Sequence, residues 1–390
     1  MKQAAFQGIS VAERALRGRS AGNRSPDAAE LKGVRNFVLP MFEPYLGSLV
    51  HNTPLVEALR TAVPDSRIIV TAAPLACQVF QHHPMIDSLV ATPDPNRNFR
   101  AAVAGMRKIV AQFGSESWCA LFTNWNSRTR VALAVMLSGG GVRAGYCVAP
   151  TLLHLGLQPD YDSSQIARNL RILQALGHNS PSHLEPRVYF NQNDLDCSEG
   201  LIGGSSRGPV AVLITRTSGG QPTAWPDSRW VAVARHLIAE HKCRIVLPGT
   251  KAEADALSRL AVKIGAEATS LAGKTTIAQL AAVCALSDIV IAVDTGPMHV
   301  ARSQGMPLAI IAPAWQSSIE WMPMDKPWAR ILKGPWFPAP PPPSYAIEEV
   351  TAEHVAAAAD ELLGFHPPQP SARLQRIRRS LVAPEVPQPV

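Results

Sequence analysis

The chain contains no Cys-x-x-Cys pair, no apolar run of the roughly 20 residues that a membrane span requires, and no Gly-x-Gly-x-x-Gly after a predicted strand. Its six cysteines, at 77, 119, 147, 197, 243 and 284, are scattered. Cys243 alone has a nearby histidine, His241, which is too few ligands for a zinc centre. The cysteines read as free thiols, and no metal site is expected. The longest apolar stretch, Ala281 to Val293, is broken by Asp288 and reads as a helix end followed by a buried strand. The N-terminus lacks the apolar core of a secretion signal, so the expectation is a cytoplasmic protein. Without a glycine fingerprint a nicotinamide-dependent oxidoreductase is disfavoured; Gly139, Gly140 and Gly141 follow a predicted helix and read as a turn. Aromatic residues are 6% and are not interleaved with basic ones, so no nucleic-acid module is expected.

What the chain does have is the composition of a globular enzyme, with 46% hydrophobic and 17% charged residues. Its 390 residues suit two domains of roughly 150 residues with tails. Part of the net charge of +7 sits at the ends, in Arg14, Arg17, Arg19 and Arg24 and in Arg373, Arg376, Arg378 and Arg379. These read as solvated tails, with peripheral contact to the inner face of an anionic membrane as the alternative.

Strand and helix signals alternate along the chain. Residues 36–42 read as a strand, Leu49 to Val63 as an amphipathic helix, and 67–71 as a buried parallel strand. A strand at 120–123, a helix at 128–138, a strand at 142–146 and a helix at 164–176 follow. The second half repeats the rhythm with strands at 209–215, 244–247, 288–293 and 308–311, and helices at 228–241, 252–264, 276–286 and 298–304. The expected fold is α/β, two Rossmann-like domains with parallel sheets. The expected layout is a mobile leader over 1–33, a first domain over 34–180, a linker over 181–208 with a strand at 187–190, and a second domain over 209–336. A polyproline spacer over 337–351, a helix over 352–364 and a disordered tail over 365–390 complete it.

Ligands of such sheets bind outside the carboxyl ends of the strands. One strand ends there in Asp294-Thr295-Gly296, with Pro297 where a helix begins and His299 within its first turn. Amides opening that helix, with the Thr295 hydroxyl, make a phosphate site. Asp294 either caps the helix or holds a ligand hydroxyl. The plain alternative is an N-cap with His299 as a satisfied, partly buried histidine.

This stretch resembles the signature of glycosyltransferase family 9, the heptosyltransferases: an apolar strand, D-[ST]-G-x-x-H-x-A, then G-x-P before another strand. Asp294, Thr295, Gly296, His299, Ala301, Gly305 and Pro307 match it. Trp225-Pro226 with Trp230, Leu247 to Gly249 with Glu253, Leu271 to Thr275, and weaker matches at Leu46-Gly47, Thr53 to Leu55 and Arg143 to Tyr146 extend it over about residues 34–335. The resemblance implies a GT-B fold with two domains facing across a cleft. It also implies an inverting, metal-independent transfer from a nucleotide-sugar, ADP-heptose-like, to a lipopolysaccharide-type or other glycan acceptor, lipid-linked or soluble, with no cofactor. It places Thr295, Gly296 and His299 on diphosphate or sugar and Asp294 on a sugar hydroxyl. Glu253 falls near the ribose, or is a solvated first-turn carboxylate, and Ser218 and Gly219 line the diphosphate pocket. Where the family carries Gly-Asp, its presumed base, this chain has Gly47-Ser48, and a serine hydroxyl cannot replace a carboxylate. Glu43 and His51 are the candidate substitutes. The family's basic residue before Trp-Pro is Thr223 here, so Arg216 or Lys251 would supply that charge. With both losses on catalytic positions, the alternative is a catalytically impaired nucleotide-sugar binder or assembly protein.

Overall fold

A computed structural model of the protein describes residues 26–123, 128–149, 152–181, 184–204, 207–216, 223–336 and 345–382. The chain divides into two compact units, Met1–Pro186 and Arg187–Val390.

In the first unit α1 (Ala28–Gly33) precedes β1 (Asn36–Met41), α2 (Leu46–Val50), α3 (Thr53–Ala62), β2 (Arg67–Ala72), α4 (Pro74–Phe80) and β3 (Ser88–Ala91). Then come α5 (Phe99–Val110), β4 (Trp118–Phe122), α6 (Thr129–Met136), β5 (Val142–Gly145), β6 (Leu155–Gly156) and α7 (Gln165–Ala175). The strands form one sheet in the order β3-β2-β1-β4-β5-β6, every pair parallel. β1 and β4 are buried along their whole length, as continuous apolar runs at the centre of a doubly covered sheet must be. The chain winds outward from β1 to β3, then crosses back to β4, so the topological switch point lies between β1 and β4. The β1–β4 ladder stops at Val38↔Ala120, two residues short of Pro40, which has no N–H to donate. Gly145 holds φ +125°, and a Cβ there would fall 2.1 Å from the Phe122 carbonyl oxygen, so only glycine fits where β5 closes on β4.

In the second unit α8 (Gln192–Leu201) precedes β7 (Val210–Ile214), α9 (Asp227–His241), β8 (Arg244–Leu247), α10 (Ala254–Ile264), β9 (Ala268–Ser270) and α11 (Ile277–Leu286). β10 (Ile289–Val293), α12 (Gly296–Arg302), β11 (Leu308–Ile311), β12 (Ala329–Leu332), α13 (Ala352–Phe365) and α14 (Pro370–Val382) complete it. The sheet order β12-β11-β10-β7-β8-β9 repeats the winding of the first, with its switch point between β10 and β7. Both central strands are wholly buried. One face packs on a core of Leu213, Trp230, Leu237, Leu257, Ile291 and their neighbours.

Several sequence expectations are corrected. Of the supposed leader, residues 28–33 are helical, started by a reciprocal capping box between Asp27 and Glu30. The helix expected over 49–63 is two helices, because Pro54 would drive its ring against the Val50 carbonyl in a continuous one; Thr53 Oγ1 donates to that carbonyl instead at 2.9 Å. No strand forms at 187–190: the Val188 carbonyl accepts from Gln304 Nε2 at 2.9 Å rather than joining a ladder. The expected linker holds α8, docked on α11 with Ser198 Oγ donating to the Gln279 carbonyl at 3.0 Å. The described end of the spacer is pinned: Ala346 bridges Ala224, Ile347 N–H donates to the Ala224 carbonyl at 2.8 Å, and Ile347 and Val350 are buried. The tail expected to be disordered contains α14. Its Arg373 reaches the buried Asp288 at 2.7 Å, and Arg378 lies 2.9 Å from Glu199. The helix expected over 352–364 runs Ala352–Phe365. No helix among the described residues is long and apolar enough to cross a membrane.

Candidate functional site

At the switch point of the second unit, Thr215 follows β7 and Asp294 and Thr295 follow β10, all three buried. Thr295 is the N-cap of α12 in extended conformation, yet its side chain makes no capping hydrogen bond. Its Oγ1 and that of Thr215 are both buried without a hydrogen-bond partner. Buried hydroxyls are almost always satisfied, so two orphans at the carboxyl ends of adjacent central strands are an exception to that rule. Thr295 thus occupies the N-cap position without capping through its side chain, and His299 is buried.

Burial pushes the Asp294 carboxyl up to about 6, against the opposing pull of the Lys333 ammonium. Lys333, just beyond β12, is itself lowered by burial and drawn back up by Asp294; its Nζ donates to the Gln316 carbonyl and to Ser318 Oγ at 3.3 Å. Thr223 Oγ1 donates to the Asp294 main-chain carbonyl at 3.3 Å, so the position where a basic residue was missed braces the loop instead. Burial, reinforced by Arg302, takes the His299 imidazole down to about 3. It is neutral at pH 7, with its ring 6.0 Å from that of Trp321, and can meet a ligand only as a neutral donor or acceptor.

The other anticipated residues of this unit are differently engaged. Glu253 Oε2 accepts from the Thr250 N–H at 2.7 Å and the Thr250 hydroxyl at 2.8 Å, closing a capping box ahead of α10. Arg216 pairs with Asp227 at 2.9 Å, and Lys251 is exposed. Ser218 and Gly219 lie outside the described residues.

The first unit gathers polar groups at its own switch point. Glu43, two residues past β1, is buried, and its Oε1 accepts from Asn52 Nδ2 and from Thr123 Oγ1, both at 3.0 Å. Asn169 Nδ2 donates to Asn52 Oδ1 at 2.6 Å, and Gln165 Nε2 donates to Asn169 Oδ1 at 3.1 Å. The second carboxylate oxygen of Glu43 is buried without a hydrogen-bond partner. Burial raises the Glu43 pKa above its ordinary value, and the hydrogen bonds with the Arg128 charge only moderate it. His51 is fully buried as the C-cap of α2, and Ser48 is buried within that helix.

Residues 126–312 match the family model of glycosyltransferase family 9 (heptosyltransferase). The chain is glycosyltransferase family 9-like. Its fold is similar to that of a family 9 glycosyl transferase from Veillonella parvula, with TM-score 0.74, 18% identity, and coverage of 85% of this chain and 98% of that one. It is similar too to E. coli ADP-heptose lps heptosyltransferase II (TM-score 0.69, 17% identity, 84% and 98% covered) and to E. coli heptosyltransferase WaaC with ADP (0.62, 17%, 85% and 99%). No curated protein is matched by sequence. Two parallel six-stranded α/β units give the family 9-like chain the GT-B type of architecture.

Of the residues read from sequence, Asp294, Thr295, Gly296 and His299 come together in the second unit, whereas Glu253 and Arg216 are held by local partners. Sequence reasoning missed Thr215 and Lys333. Thr215 was readable as the residue ending a buried strand. Lys333 carried no local signal, since β12 contains one charged residue in four and pairs only with β11 at the sheet edge.

Proposed function

We propose that the protein is an inverting glycosyltransferase whose second unit binds a nucleoside-diphosphate sugar of the ADP-heptose class. The observation that carries this is the pair of unpartnered threonine hydroxyls, Thr215 and Thr295, flanking Asp294 at the ends of β7 and β10. The acceptor hydroxyl attacks the anomeric carbon as the bond to the diphosphate breaks, inverting that carbon. Negative charge grows on the leaving diphosphate, and hydroxyl donors, the first amides of α12 and Lys333 oppose it without a metal ion in the transfer step. Asp294 accepts from a sugar hydroxyl, and His299 acts as a neutral imidazole. The acceptor is a lipopolysaccharide-type or other glycan.

The acceptor's proton goes to Glu43. Ser48 cannot take it, and His51, as buried as Glu43, sits at the end of α2 rather than beyond a central strand. Glu43 has a pKa raised by burial and one oxygen without a protein partner at a strand's carboxyl end, and both strengthen it as a proton acceptor. Enclosure of that carboxylate favours one second reading, a nucleotide-sugar binder without turnover.

The test is calorimetric titration with ADP and with ADP-heptose, followed by transfer assays over a panel of nucleotide-sugars and heptose-accepting glycans. Saturable binding with turnover is expected. Binding without turnover selects the second reading, and no nucleotide binding overturns both.

A further inference from the structure

Helix α9 carries His236 and ends with His241, and α13 packs beside it carrying Asp360. His236 Nε2 lies 2.8 Å and His241 Nε2 2.7 Å from the same oxygen, Asp360 Oδ1. The two imidazoles stand 6.1 Å apart between ring centres at 65° to each other, each partly open to solvent. The three ligating atoms lie within 4.8 Å of one another.

We propose that His236, His241 and Asp360 form a binding site for a divalent transition-metal ion of the zinc class. Two imidazole nitrogens and one carboxylate oxygen are the mixed donor set that such ions prefer and that Mg²⁺ and Ca²⁺ do not. Tetrahedral bonds of roughly 2.0–2.1 Å set neighbouring donors about 3.3 Å apart, so each imidazole retreats by about half an ångström from Asp360 while the two imidazole nitrogens, within 4.8 Å of each other, adjust to the same spacing. Water fills the fourth position, because the cluster faces solvent.

The site is separate from the sugar-transfer machinery by topology. α9 begins at Asp227, on the side of the sheet where β7 ends, and runs back to His241, three residues before β8 begins at Arg244. It therefore lies towards the amino-terminal edge of the strands, opposite the end where Thr215 and Thr295 sit. A bound ion ties α13 to α9 and takes no part in transfer. The sequence hid it, since Asp360 is 119 positions from His241 and 124 from His236.

The test uses the full chain, stripped with chelator and carrying Cys197→Ser to remove an exposed thiol. Equilibrium dialysis against Zn²⁺ in excess Mg²⁺ should give one bound equivalent and a raised melting temperature. That equivalent should be lost in His241→Ala and in Asp360→Ala, weakened at least tenfold in His236→Gln, and kept in the control His366→Ala. Circular dichroism confirms that the variants are folded, and Co²⁺ in place of Zn²⁺ should give visible ligand-field bands that vanish with His241→Ala. Failure of the parent protein to bind Zn²⁺ under excess Mg²⁺, or an equivalent retained by the folded His241→Ala and Asp360→Ala variants, overturns the proposal. Sugar transfer is unchanged either way.

Discussion

Replacing Arg373 by alanine should destabilise the second unit severely for a residue so near the end of the chain. Its guanidinium reaches Asp288 at 2.7 Å, and the side chains are 10% and 0% exposed. The contact is charge pairing rather than an aligned hydrogen bond, since Asp288 Oδ1 accepts none, while Oδ2 takes the Val210 N–H at 2.8 Å. Removing the cation leaves a carboxylate buried at the start of β10 with one backbone donor. Losing one partner of a buried pair costs roughly 3–5 kcal/mol, and the imperfect alignment argues for the lower end, about 3 kcal/mol. For a unit of this size that lowers the melting temperature by about 6–12 °C. Calorimetry on the full chain would follow the second unit's transition in Arg373→Ala, Asp288→Asn and the double variant. The asparagine carbonyl can still accept from Val210, so Asp288→Asn should cost less, and the double variant should recover part of the loss. A change within about 0.5 kcal/mol for Arg373→Ala, as at an ordinary solvated position, would refute the reasoning.

Thr295→Val keeps the shape and removes a hydroxyl that nothing in the protein satisfies, so the melting temperature should hold while donor affinity in calorimetric titration falls about five- to tenfold. Asp294 has its carboxyl raised from 3.8 to about 6 in the fold, so its contribution is complete below pH 4 and is lost as pH rises through 6; Asp294→Asn should therefore add up to about 3 kcal/mol above pH 6 and nothing below pH 4, read from melting curves across pH. Glu43→Gln preserves the Oε1 bonds from Asn52 and Thr123 and removes a carboxylate whose charged form burial disfavours, so stability should be unchanged or higher while kcat drops by about 10²–10⁴. In the parent enzyme kcat should climb with pH through the raised Glu43 pKa, a limb that Glu43→Gln abolishes.

The central strands were readable because burial on both faces writes itself as an unbroken apolar run, as in Val210–Ile214 and Ile289–Val293. Edge strands leave no such mark. Ala268–Ser270 is partly exposed, and Ser88–Ala91 never becomes fully buried. Helix α5 did show its face, with Ala102, Val103, Met106 and Ile109 buried at helical spacing, and was overlooked. α14 was hidden for another reason: its arginines look solvated until folding supplies Asp288, Asp196 and Glu199. At the site, the Asp294 loop announced itself through order and spacing. The surroundings that decide its chemistry did not, because Lys333 and Thr223 arrive from distant loops. Likewise, nothing near Glu43 in the chain foretold that Thr123 and Asn169 would enclose it.

The stretch after the prolines does more than tether α13. Ala346 lies as a short parallel rung beside Ala224, Trp225 Nε1 donates to the Val350 carbonyl at 2.8 Å, and Arg229 clasps the carbonyls of 347, 348 and 350. One residue before that rung, Thr223 grips the backbone of Asp294. Pulling on the carboxyl-terminal strap therefore tugs, through two consecutive residues, on the turn at the end of β10 that holds Asp294 and Thr295. Trimming the chain before Tyr345 would loosen the Asp294 turn as well as the helix that follows.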